Sequence, residues 1–166
     1  EAQDASQGTP QFKAGAIDLA VLIHEAAHAA QFYKEFKKDA LKNDKDGSID
    51  AFKKLSEDEI GNLQKKILSS FTTKEEAIDY LIINERKAYE ASEQFQRESI
   101  GAGTETIETA AQKILDQPHS FVYDEKGKMT GVKQTVEQYY REKYGKMYDD
   151  LGIKPQPNNT KPDTKK

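Results

Sequence analysis

The stretch from Ala20 to Gln31, AVLIHEAAHAAQ, constrains this chain more than any other. It sets His24, Glu25 and His28 in the order H-E-x-x-H within a run of small and apolar residues, IDLAVLIHEAAHAA. Side chains four residues apart on an α-helix lie one turn apart on the same face, so the two imidazoles can share one metal ion. Glu25, beside the first histidine, then stands next to that metal, where it can take a proton from a bound water. The alternative is a surface helix that merely holds two histidines, and the hydrophobic flanks argue against it. The chain has three histidines and no cysteine. Disulfides are therefore excluded, and a metal must be held by His, Asp or Glu.

The pattern predicts a first helix over about 15–38. Ile17, Val21, His24, His28, Gln31 and Glu35 follow one another along one side. Leu19, Leu22, Ile23, Ala26, Ala30, Tyr33 and Phe36 cover much of the rest, which predicts a buried helix at the centre of the domain. The alanines at 26, 27, 29 and 30 leave room for substrate or other backbone near the metal face.

A length of 166 residues fits one domain with tails. With 36% hydrophobic and 33% charged residues, its core must be modest and most helices must show a wet face. A net charge of −4 gives no basic footprint, so nucleic acid is not an expected partner. No apolar run reaches the roughly 18 residues of a membrane span. The start at Glu1 rather than Met points to a processed product, or to a piece of a larger secreted or bacterial effector polypeptide. No compartment follows from this. Residues 1–14 read as a flexible lead-in, 15–152 as the domain, and 153–166 (IKPQPNNTKPDTKK) as a disordered tail or linker.

Between them, KNDKDGSIDAFKKL over 42–55 aligns partly with a calcium loop, but Lys42 and Lys53 occupy the positions of its two terminal carboxylates. An Asp/Gly turn before a short helix is the expectation. Ser56 with Glu59 forms a capping box for a helix to about Ser70, with Ile60, Leu63, Ile67, Leu68 and Phe71 as its buried stripe. Thr73 with Glu76 opens another helix, to about Ser99. Along it Ile78, Leu81, Ile82, Glu85, Ala88, Tyr89, Ser92 and Phe95 step down one face. Glu85 lies in the middle of that apolar stripe, where an unpaired carboxylate is costly to bury. It needs either a metal shared with His24 and His28 or a salt bridge to a lysine or arginine.

Asn84-Glu85-Arg86-Lys87-Ala88 resembles the N-E-x-x-A third-ligand segment of the gluzincins, the HExxH zinc metallopeptidases of the zincin superfamily that take a glutamate from a second helix. The likeness covers the two metal helices, roughly 16–38 and 74–98. It departs at Tyr89, where many members carry an aspartate that supports the first helix. The resemblance implies zinc held by His24, His28 and Glu85, with a fourth position open to water and Glu25 as general base in the hydrolysis of a peptide or protein substrate. It also implies a donor for the developing oxyanion, for which His119 and Tyr89 are the candidates. Zincins place a sheet before the metal helix, and here barely a dozen residues precede it. The alternative function is an inactive or non-peptidase zinc-binding helical interaction domain.

After Gly101-Ala102-Gly103, Thr104 is expected to cap a helix to Gln117, with Ile107, Ala110, Ala111, Ile114 and Leu115 inward. Residues 120–132 read as a β-hairpin around Asp124–Gly127. A last helix over about 132–151 carries Val136, Tyr139, Tyr140, Tyr144, Met147 and Tyr148 as a stripe expected in the core. The fold class is therefore mainly α (α+β): a compact helical domain around the HExxH helix, with a small β-hairpin.

Overall fold

A computed structural model describes residues 10–101 and 104–154, with side chains from residue 19 onward apart from that of residue 100. Residues 1–9, 102–103 and 155–166, with most of the expected lead-in and tail, lie outside the described residues. The chain forms α1 (Pro10–Lys42), α2 (Ile49–Phe52), α3 (Glu57–Leu68), α4 (Lys74–Ile100) and α5 (Ile107–Leu115). β1 (Pro118–Tyr123), β2 (Met129–Thr135) and α6 (Val136–Asp150) follow. No described helix is long and apolar enough to cross a membrane.

Local chemistry sets most of these boundaries. α1 ends where Asp44 takes a left-handed conformation, φ 53°, that aspartate tolerates better than most residues. The Lys45 amide there returns to the Ala40 carbonyl at 2.9 Å. In the loop that follows, the Asp46 carboxylate accepts from the Ser48 amide at 2.8 Å, and Ser48 caps α2. This is the expected Asp/Gly turn and short helix. Reciprocal capping boxes open α3 (Ser56 with Glu59), α4 (Thr73 with Glu76) and α6 (Thr135 with Gln138). α5 departs from expectation: its cap is Thr106, which accepts from the Thr109 amide, and Thr104 lies outside the helix.

α1 and α4 pack side by side in opposite senses. The Ser92 hydroxyl donates to the Ala20 carbonyl at 3.0 Å, and the Gln31 amide donates to the Asn84 carbonyl at 3.2 Å. Small residues at the seam, Ala20 and the fully buried Ala88, let the backbones approach. α6 packs against α4 from another side, tied by Lys74 to Asp149 and Arg141 to Asp79, both at 2.7 Å. Leu68, Ala77, Tyr148 and Ile153 form the core cluster there. The packed unit thus takes in Ile153, at the start of the segment read as tail.

Burial of α1 differs from the all-round burial its sequence suggests. Its α4-facing side is buried, whereas Leu19, Val21 and Leu22 are 49–61% exposed. A helix packed mainly against one long partner leaves the side chains beside and beyond that seam only partly covered, however apolar they are. Ile60, expected in the α3 stripe, is likewise 41% exposed, and the stripe is carried by Leu63 and Leu68.

The two strands pair antiparallel, from Pro118 opposite Thr135 to Tyr123 opposite Met129, with register shifts along the ladder. Asp124 closes the turn by accepting from the Lys126 and Lys128 amides, both at 2.9 Å. Stability of the unit should be most sensitive at Leu68, which is 1% exposed. Leu68→Ala is expected to cost about 2–5 kcal/mol and to lower the thermal midpoint by on the order of 10 °C, read by circular dichroism.

Candidate metal centre

α1 presents His24 and His28 on the side that meets α4, and α4 presents Glu85 from the middle of its buried stripe. Among the described residues, these three form the group of His, Asp and Glu side chains placed to hold a metal. His24 Nε2 and His28 Nε2 lie 3.1 Å apart, and Glu85 Oε2 lies 3.3 Å from each. Glu85 is 3% exposed, His24 9% exposed and His28 partly buried.

The donor set fits a divalent cation on two grounds. A tetrahedral ion with ligands at about 2.0–2.1 Å sets neighbouring ligand atoms about 3.3–3.4 Å apart, close to the edges of this triangle. Two imidazole nitrogens and a carboxylate oxygen also turn their acceptor positions toward one point, which a shared cation satisfies together and a single proton cannot.

The electrostatics of the group favour an ionised carboxylate. Burial works against the charge on Glu85, but hydrogen bonds from His24, His28 and Tyr144 overcome it and hold the carboxyl at about 2. The hydrogen bond to Glu85 in turn raises His28, against its partial burial. The salt bridge from lysine or arginine considered for Glu85 is not how its charge is met; the two imidazoles and Tyr144 meet it.

Glu25 contributes no atom to the triangle. It is exposed and lines a cavity of about 340 Å³ together with Ala20, Val21, His24, Tyr89, Ser92 and Tyr140. In the same cavity the Tyr89 and Tyr140 hydroxyls lie 3.3 Å apart. Burial raises both phenols above their ordinary range, so both remain protonated donors at neutral pH. The Tyr89 ring also packs on the His24 ring, 4.4 Å between centroids. His24 Nδ1 is buried and has no hydrogen-bond partner among the described residues.

A second cavity, about 200 Å³, opens on the His28 side and is lined by Gln31, Phe32, Ile67, Leu81, Asn84 and Tyr144, among others. His119 lines neither cavity: it sits exposed on β1 with its ring stacked on Tyr139 at 4.0 Å. Sequence reasoning missed Tyr140 and Tyr144, which were expected in the core and instead reach this centre. Their spacing of four, continued by the truly buried Tyr148, was the available signal.

The fold and its site thus define a mainly helical protein with a candidate His–His–Glu metal-binding group. Compared with protein families, curated proteins and solved structures, the chain matches none.

Proposed function

We propose that the chain is a zinc-dependent metallopeptidase of the gluzincin-like zincin type, with His24, His28 and Glu85 as ligands and Glu25 as general base. The observation that carries it is the convergence of three ligand atoms beside a cavity lined by both His24 and Glu25. Three protein ligands leave a coordination position open, as catalytic sites do and structural sites usually do not. Bound there, zinc supplies Lewis acidity and an acidified water.

Glu25, which shares the cavity with His24, would serve as the general base, taking a proton from the attacking water and returning it to the leaving amine as the C–N bond breaks. Of the two candidates for steadying the carbonyl oxygen, Tyr89 is favoured over His119 because it shares the cavity with Glu25. The experiment is incubation of the zinc-loaded protein with a denatured protein substrate. Fragments are expected, lost on chelation and restored by added zinc.

A second reading, a zinc-binding interaction module without peptidase activity, is favoured by the apolar side chains that the hairpin exposes: Phe121, Val122, Tyr123, Met129 and Val132. Zinc bound at the triad with no cleavage of any denatured substrate would decide for that reading.

A further inference from the structure

We infer that Tyr144, contributed by α6, is a positioning residue of the metal centre that orients the Glu85 carboxylate toward the two histidines. The inference rests on the metal-binding role proposed above. A carboxylate offers two oxygens, and its terminal torsion is broad and roughly two-fold, so nothing internal to Glu85 selects which oxygen faces His24 and His28. The surroundings select it. Oε2 lies 3.3 Å from both imidazole nitrogens, while the Tyr144 hydroxyl donates to Oε1 on the far side. With Oε1 engaged, rotation or tipping of the group breaks a hydrogen bond to a buried charge, a contact stronger than one between neutral partners.

Tyr144 is itself well held. Its ring stacks on Tyr140 with centroids 5.8 Å apart and planes at 16°. One turn further along α6, Tyr148 is 2% exposed and locked among Leu68, Ala77 and Ile153. The ion pairs of Lys74 with Asp149 and Arg141 with Asp79 fix α6 along α4, the helix that carries Glu85. α6 thus bears on the metal through one hydroxyl, and the centre draws on three helices rather than the two that carry its ligands. Outer partners of this kind typically change metal affinity 10–100-fold when removed.

The test is Tyr144→Phe, which keeps the ring and its stack and deletes only the hydroxyl. Zinc affinity, measured by competition with a chromophoric chelator, is expected to fall about 10–100-fold. The helical circular dichroism of the zinc-free protein should stay close to wild type, with melting lowered only by the loss of one buried hydrogen bond. The visible spectrum of the cobalt(II)-loaded protein should change as the carboxylate loses its fixed orientation. Should Tyr144→Phe fold poorly, Tyr144→Gln and Tyr144→Leu replace it: the amide can still donate and should retain more affinity than leucine. Equal losses in those two variants would assign Tyr144 to packing and overturn the inference. So would a Tyr144→Phe protein with wild-type zinc affinity and cobalt spectrum. A wild-type chain that binds no zinc overturns both this inference and the function it rests on, whereas failure in the variants alone leaves that function standing.

Discussion

Glu25→Gln is expected to leave the zinc content unchanged and to lower peptide hydrolysis by about 10²–10⁴-fold, the usual contribution of a positioned general base. The substitution preserves shape and removes only the capacity to accept and carry a proton. Glu25 supplies none of the three converging ligand atoms, so the cation should be held as tightly as before. Its side chain is exposed, so the change should not disturb packing. Metal analysis of the purified variant, alongside its rate on a denatured protein, separates the outcomes. A variant as fast as wild type would remove Glu25 from the chemistry. One that also lost its zinc would mean that Glu25 supports the metal rather than the reacting water.

The two helices of the candidate site were legible because their information is local. H-E-x-x-H needs only helical spacing to bring its imidazoles together, and Thr73 with Glu76 fixes the phase of α4. That phase made Glu85 an inward-facing carboxylate. Its burial at 3% exposure, against His24 and His28 from 57–61 residues earlier in the chain, follows from that one inconsistency in an apolar stripe.

What was hidden depends on which helix covers which. α1 looked fit for burial on every side, yet periodicity records how apolar a face is and not how far a neighbour covers it; Leu19, Val21 and Leu22 stay 49–61% exposed. The tyrosines of α6 show the converse difficulty. Tyr140, Tyr144 and Tyr148 share one side of the helix, and tyrosine suits both a core and a polar site. Only the tertiary arrangement sends Tyr148 into the core and the Tyr144 hydroxyl to Glu85.

Glu85→Ala carries the other large effect: zinc affinity is expected to fall more than about 100-fold, beyond what loss of an outer partner causes. Two histidines four apart on one helix remain a bidentate site, but without the oxygen 3.3 Å from each they lose both the third ligand and the only negative charge among the three. The consequence extends to stability. A ligand at about 100 times its dissociation constant stabilises the protein it binds by about 2.7 kcal/mol, so zinc should raise the wild-type melting temperature by several degrees. At the same zinc concentration Glu85→Ala should melt as it does without zinc. The zinc-free variant should still fold, because the core cluster of Leu68, Ala77, Tyr148 and Ile153 includes none of the triad and the seam bonds from Ser92 and Gln31 remain. A Glu85→Ala protein with undiminished zinc content would place the third ligand elsewhere. The hydrogen bonds from His24, His28 and Tyr144 would then suffice to explain why this carboxylate is buried.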